Sequence, residues 1–299
     1  MKNIDFSIVM TVLNEERRIR KSLDSIAKQE GATFEVIVVD NGCTDNSIAI
    51  ALQYPFVKAA RYLGRLGGAM QEGLMMAKGQ YTAFIDADEY LPPGSLKKIK
   101  NVASKLNHCH AFIARIKPFC VFKSLWERYV KAYFLGDTLE STLWKNLTFH
   151  SGGLVIRTDI AKRVNFDSQM PLSYDGDFSY RFLKLGYRAY YMRNYVVNDE
   201  VYSEFLGFYS YYRKLGIAGL LLFKKYPSLE MLKYQIRILA EPFTPHYLVI
   251  RYRKIRKYFK NLTLWLLIGI LKTTFMLVSW IIYGVLGKSI PFQVTRYKG

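Results

Sequence analysis

FSIVMTVL, residues 6–13, is a continuous apolar run. Asn14-Glu15-Glu16 follows it, and apolar positions return at Ile19, Leu23 and Ile26. The uncharged run reads as a buried strand. The later spacing reads as an amphipathic helix, with Asn14 as N-cap and an acidic first turn. The same unit recurs downstream. FEVIVV, residues 34–39, is a second buried strand that ends on the turn Asp40-Asn41-Gly42, and Thr44-Asp45 can cap the helix beyond it. Leu66, Ala69, Met70, Gly73, Leu74 and Ala77 line one helical face. YTAFID, residues 81–86, is another strand, and Leu96, Ile99, Val102 and Leu106 mark a helix after Pro92-Pro93-Gly94.

Strand and helix therefore alternate over the first 110 residues or so. Apolar strands of this kind imply an α/β fold, a parallel sheet covered by helices. Ligands of such sheets bind beyond the carboxyl ends of the strands. The polar groups at those ends are Asn14, Asp40 and the pair Asp86 and Asp88. Residues 174–192 carry a further helix, with Phe178, Phe182 and Leu185 on one side, and then a Tyr-rich strand. Residues 205–260 are rich in Tyr, Leu, Lys and Arg and read as helices with aromatic and basic faces.

A formal net charge of +19 calls for an acidic partner, whether nucleic acid, anionic lipid or a phosphate-bearing substrate. Six basic residues and no acid crowd residues 251–260 (RYRKIRKYFK), directly before the apolar stretch 262–286. That placement favours lipid headgroups, about 1 kcal/mol for each cation. No nucleic-acid-binding motif is visible, and no nucleic-acid partner is expected. The three cysteines form no framework and read as reduced thiols. His108-Cys109-His110 lacks a second ligand pair at zinc spacing. Residues 1–10 do not read as a secretory signal.

The 25 residues 262–286 contain one charge, Lys272. A spanning helix needs about 20 apolar residues. Leu, Ile, Val and Phe supply 14 of the 25. Each favours insertion by roughly 0.3–0.6 kcal/mol, against about 3 kcal/mol for a central Lys, so insertion wins. The excess of cations before the stretch places the large N-terminal part on the cytoplasmic face.

Asp86-Ala87-Asp88 ends an apolar strand. If the chain stays extended there, the two carboxylates point the same way. They would then offer a hard-oxygen site for Mg²⁺ or Mn²⁺ bridging a diphosphate. Asp40 can accept hydrogen bonds from a nucleotide base or ribose. Gly64, Gly67, Gly68 and Gly73 let backbone approach a ligand. They do not form G-x-G-x-x-G after the first strand, so a nicotinamide site is not expected.

SIVMTVLNEE, EVIVVDNGCTDNS, RLGGAMQEGLMMAKGQYTAFIDADE and YDGDFSYRFLKLGYR, in that order, resemble the nucleotide-sugar-dependent family 2 glycosyltransferases over roughly residues 5–200. The resemblance implies a GT-A fold and an inverting transfer with a divalent metal. It implies that Thr11, Asn14, Asp40, Gly67 and Asp86 surround the nucleotide-sugar, and that Asp86 and Asp88 hold the metal. It puts the catalytic base at Asp175, with Asp177 as the competing carboxylate, and Arg181 on the motif's recurrent Arg. Three positions depart from the pattern: Thr11 where Pro is usual, Gln71 where Asn is usual, and Tyr174 in the acidic pair. A late His that often helps hold the metal is replaced by Asn198-Asp199-Glu200.

The expected organisation is a catalytic domain over 1–204, amphipathic membrane-proximal helices over 205–260, and a membrane-embedded helix with a short tail over 261–299. The expected activity moves a sugar from a UDP-, GDP- or dTDP-linked donor to a lipid-linked acceptor. Arg181, Arg251, Arg253 and Lys254 are expected on the acceptor and lipid side. A processive synthase would carry Q-x-x-R-W, and a nucleotidyltransferase would carry G-x-G-x-R after the first strand; neither is present. A non-catalytic basic membrane-binding protein is the remaining alternative.

Overall fold

The computed structural model describes residues 4–119, 124–129, 141–144, 146–170, 172–200, 204–240 and 262–286. They belong to two compact units. One comprises Met1–Ile116 with Leu139–Asp199, and the other Lys117–Thr138 with Glu200–Gly299.

The first unit is built on a nine-stranded sheet. Strands β1 (Phe6–Val12), β2 (Phe34–Asp40), β3 (Val57–Arg61) and β4 (Tyr81–Phe84) are parallel and lie in the order β3-β2-β1-β4. Val12 stands opposite Asp40, so β1 and β2 end level with each other. Beyond β4 the sheet turns antiparallel through β8 (Leu154–Arg157), β6 (Ala111–Phe119), β9 (Ala189–Glu200) and β5 (Glu89–Tyr90), and β7 (Thr142–Leu143) pairs with β9. The three strands read from sequence, at 6–13, 34–39 and 81–86, correspond to β1, β2 and β4, while β3 was not read. Of the antiparallel half only the Tyr-rich β9 was legible, because these strands pair across long stretches of chain.

Period-2 alternation sends neighbouring strand residues to opposite faces. Ile8, Met10, Val36 and Val38 pack with Leu23 and Ile26 of α1 (Ile19–Ala27) and with Leu96 and Ile99 of α4 (Ser95–Lys105). Val9, Ile37 and Val39 pack on the other side. They meet Met70 and Leu74 of α3 (Leu66–Met76), Ile160 of α5 (Thr158–Val164), and Phe178 and Phe182 of α6 (Tyr174–Lys184). Each fully buried Leu, Ile or Phe contributes roughly 1.5–3 kcal/mol. α3 lies directly on the sheet, because a Cβ at Gly73 would meet Val9 and come within 3.1 Å of Val39 Cγ2. A short helix, α2 (Ser47–Ala51), follows β2.

Several local expectations are corrected. α1 begins at Ile19, with Arg18 as an N-cap that makes no side-chain capping bond and with no acid in the first turn. Asn14 is not its cap; it takes a left-handed φ of 56° four residues earlier. β4 ends at Phe84, so Asp86-Ala87-Asp88 lies in a turn rather than an extended strand. Leu185 is exposed rather than packed with Phe178 and Phe182.

The second unit is helical. α7 (Phe205–Lys225), α8 (Leu229–Ala240) and α9 (Leu262–Trp280) enclose Phe208, Tyr212, Trp265, Ile268 and Met276, joined by Tyr129. α9 continues into a π-helical turn, Ile281–Val285. Thr263–Val285 is the one helix among the described residues long and apolar enough to cross a membrane.

Candidate active site

The carboxyl ends of β1 and β2 are locked together by side chains. Asn14 Oδ1 accepts the Thr44 N–H at 2.8 Å and the Thr44 hydroxyl at 3.2 Å. The Asn14 N–H donates to Cys43 Sγ at 3.4 Å, and the thiol donates to the Val12 carbonyl. Asn tolerates a left-handed backbone better than other non-glycine residues, because its short amide bonds locally. Burial, with Asp40 and Asp45 adding their charge, pushes the Cys43 thiol up to about 11. It is a neutral hydrogen-bonding residue here, not a reactive thiolate.

Asp40 Oδ1 accepts the N–H groups of Cys43 at 2.7 Å and Gly42 at 2.9 Å. Burial opposes its charge, but those donors and Arg61 at 3.6 Å hold its carboxyl below the usual range. Asp40 is thus ionised and aimed at the edge of the sheet. Asp45 accepts the Ser47 N–H at 3.0 Å, fixing the start of α2 from the position the sequence suggested. Thr11 is buried beside them on β1, and its hydroxyl has no hydrogen-bond partner among the described residues.

The Asp86 turn is closed by two reciprocal bonds with Glu89. Glu89 Oε2 accepts the Asp86 N–H, and the Asp86 carbonyl accepts the Glu89 N–H, both at 2.9 Å. Glu89 pairs with Asp199 across β5 and β9. Burial first, then the charges of Asp86, Asp199 and Asp88, push the Glu89 carboxyl well above its ordinary value. A Cβ on Gly152 would lie 2.4 Å from Glu89 Oε1, so any other residue there would force the Glu89 carboxylate to shift.

The same turn reaches Asp175, whose carboxylate accepts the Gly176 N–H at 2.7 Å and a backbone N–H from Ser151. Burial raises the Asp175 carboxyl, partly offset by the Gly176 bond and by His150. The turn from His150 to Gly152 therefore touches both Asp175 and Glu89. Asp177 differs from its neighbour. It has no exposed surface and binds Arg181, whose Nη2 lies 2.6 Å from Asp177 Oδ2. Arg181 also donates to the carbonyls of Val164 and Asn165. Asp177 is therefore committed to Arg181, and Arg181 braces α6 against the end of α5.

Gly67 lies in the first turn of α3. A Cβ there would collide with the Asp167 carbonyl, so this glycine permits close packing within the protein. Gly64 and Gly68 lie against the Tyr62 ring, and Gly73 against Val9. Arg251, Arg253 and Lys254 lie outside the described residues. Sequence reasoning missed Cys43 and His150, neither of which stood in a periodic pattern. The Asp177–Arg181 pair carried a usable signal, since an acid four residues before an Arg on a helix faces it.

No three His, Cys, Asp or Glu side chains among the described residues converge into a ready cation cage. The donor set nevertheless fits a divalent ion bound with substrate. Mg²⁺ commonly takes one or two carboxylates and completes its shell with phosphate oxygens and water. Asp86 and Asp88 would be the carboxylates to hold such an ion, beside the crowded negative charge that raises Glu89.

The family model described as "Glycosyl transferase family 2" matches residues 7–164, more than half of the chain. An uncharacterised glycosyltransferase of Rickettsia typhi is 24% identical over 209 residues, covering 66% of this chain and 64% of that protein. The match thus spans less than two thirds of that relative. Among solved structures, the mannosyltransferase PcManGT from Pyrobaculum calidifontis, in complex with GDP-Man and Mn²⁺, is 16% identical with TM-score 0.65, covering 97% of this chain and 89% of that one. Staphylococcus aureus TarS 1–349, in complex with UDP-GlcNAc, is 17% identical with TM-score 0.55, covering 98% and 95%. At these identities the likeness shows the fold.

Proposed function

The chain belongs to glycosyl transferase family 2, and from that premise we propose that it transfers a sugar, with inversion, from a nucleotide-diphosphate donor to a lipid-linked acceptor at a membrane. The observation that carries this reading is the turn of Asp86 and Asp88, closed by Glu89 and flanked by the residue 150–153 turn that also holds Asp175. Solved neighbours with GDP-Man and Mn²⁺ and with UDP-GlcNAc support a nucleotide-sugar donor.

In this reading, Asp40 takes hydrogen bonds from the nucleoside, and Asn14 keeps the first two loops joined around it. Asp86 and Asp88 would hold Mg²⁺ or Mn²⁺ when the donor is bound. When bound, that ion supplies charge neutralisation for the leaving group. The acceptor oxygen forms a bond to the anomeric carbon as the carbon–oxygen bond to the diphosphate breaks. Asp175 takes the acceptor's proton, and the nucleoside diphosphate departs. An acceptor that is itself an ionised phosphate arrives without that proton and makes little demand on Asp175. The apolar α9 and the basic residues 251–260 argue for an acceptor carried by lipid.

The test is turnover of UDP-, GDP- and dTDP-sugars by protein purified in lipid, with Mn²⁺ and acceptor lipids. The expected result is turnover of one donor, abolished by Asp88→Ala and by chelation. Absence of both turnover and binding for every donor would overturn the reading.

A further inference from the structure

A cavity of about 510 Å³ opens at the edge of the sheet opposite the acidic turn. It forms where the sheet changes direction. β4 pairs with β1 in parallel and with β8 antiparallel, so Tyr81, which opens β4, faces Arg157, which closes β8. The end of α4 and the residues after it cover this junction with small side chains, Ala103 and Cys109, that do not fill it. Sites for small ligands have volumes of roughly 300–1,000 Å³. Tyr81 and Phe84, the two ends of β4, are about 10 Å apart at ~3.3 Å per residue, and Asp86 lies beyond Phe84. The cavity is therefore separate from the candidate active site.

The walls decide what fits. Arg157 and Asp159 bind each other twice, Nε to Oδ1 at 3.2 Å and Nη2 to Oδ2 at 2.9 Å, so together they add no net charge. An anion such as phosphate meets no other cation among the lining residues. The floor of Ala103 and Cys109 offers an acyl chain little apolar surface. Three neutral groups remain uncommitted. The side-chain amides of Gln80 and Asn107 and the Tyr81 hydroxyl line the cavity and make no hydrogen bond among the described residues. A partly buried Tyr hydroxyl ordinarily finds such a partner. Burial raises the Tyr81 phenol, so it keeps its proton and can donate as well as accept. Each of the three groups thus offers both a donor and an acceptor, as a sugar hydroxyl requires.

We propose that this cavity binds a neutral saccharide, held by Gln80, Tyr81 and Asn107 and apart from the donor site. The Tyr81 ring is steadied by Phe6, 5.9 Å away between ring centres, and by Phe112 at 6.4 Å. Its hydroxyl is thus fixed before a ligand arrives, which lowers the cost of binding. In the transferase reading above, a glycan chain engaged here stays near the catalytic edge, and its effective concentration there rises. The saccharide site itself stands on the cavity and not on that reading.

The test is ligand-observed NMR on the full chain in lipid, with glucose, galactose, mannose, N-acetylglucosamine and maltose as probes. UDP and GDP are present in excess, so that a sugar is not read at the donor site. At least one probe is expected to bind. Gln80→Ala combined with Asn107→Ala should weaken that binding about tenfold, because two hydrogen bonds are lost. Both residues are exposed, and an unchanged circular-dichroism spectrum checks the fold. Tyr81→Phe keeps the ring and removes only the hydroxyl, and should weaken binding a fewfold. No binding by any probe, or binding that all three substitutions leave unchanged, would overturn the proposal. Displacement of the sugar by inorganic phosphate would reveal an anion site and overturn it as well. Binding is read without turnover, so failure here and failure of the transferase reading are distinguishable.

Discussion

Glu89 and Asp86 each accept the other's backbone N–H, Glu89 through Oε2 and Asp86 through its carbonyl oxygen. The buried glutamate is thus the clasp of the turn that presents the two aspartates. Glu89→Gln keeps an acceptor for the Asp86 N–H, and Glu89→Leu removes it. An unpaired buried N–H costs about 1–3 kcal/mol. The glutamine variant should keep turnover within a fewfold of the parent, and the leucine variant should lose tenfold or more. Initial rates across a Mn²⁺ titration check this, and equal rates for the two variants would contradict it.

Asp175 and Asp177 should separate cleanly. Asp175→Asn should reduce turnover on a hydroxyl acceptor by 100-fold or more, the typical contribution of a general base being about 10²–10⁴. The melting temperature should change little. Asp177→Asn should destabilise the fold by about 3 kcal/mol, because Arg181 loses its buried counter-charge. Turnover per folded molecule should survive. Thermal melts paired with active-site-normalised rates distinguish the two.

The raised Asp175 carboxyl has a pH signature. The base works only when deprotonated, so the acidic limb of kcat/KM should lie above the ordinary aspartate value of about 3.9. A limb at or below that value would remove Asp175 from the role.

Stability should show the opposite sign at other carboxyls. Glu35, against a burial penalty, is held below its ordinary value by Lys58, Ser7 and the Lys78 N–H, and Asp40 and Asp45 are lowered by their own donors. Such groups bind protons more weakly in the fold than in the unfolded chain. Their contribution is complete above about pH 4.5 and is lost as pH falls through the lowered values. Glu35→Gln should therefore lower the melting temperature most at pH 7, and the gap should narrow by pH 3.

Asn14→Ala should cost about 1–2 kcal/mol, from the lost Thr44 bonds and a left-handed alanine. Donor KM should rise more than kcat falls. Asn14→Gly should recover part of the stability and little of the KM, which chemical denaturation and donor titration can resolve.

The legible parts of this chain were the local ones. β1, β2 and the faces of α1, α3 and α4 follow from largely apolar runs and 3.6-residue spacing, which need no distant partner. Asp40 and the Asp86 segment could be placed at the sheet edge for the same reason. The turn at Asp86 was hidden, because its closing acceptor is a glutamate whose strand pairs with residue 199. The Asp167 carbonyl above Gly67 was hidden as well, because only the fold brings the two together. The bond from Arg181 to Asp177, one helical turn apart, was legible from spacing alone.

The pairing of Glu89 with Asp199 also sets a schedule for making the protein. The two residues are 110 apart in sequence. A ribosome adding roughly 5–20 residues per second needs about 5–20 s to travel from one to the other. During that interval the first four strands can already assemble, while the acidic turn waits without its antiparallel partner. Catalytic competence therefore arrives late in synthesis, after the parallel half of the sheet. A ribosome that stalls before residue 199 releases a chain with a sheet but no finished centre.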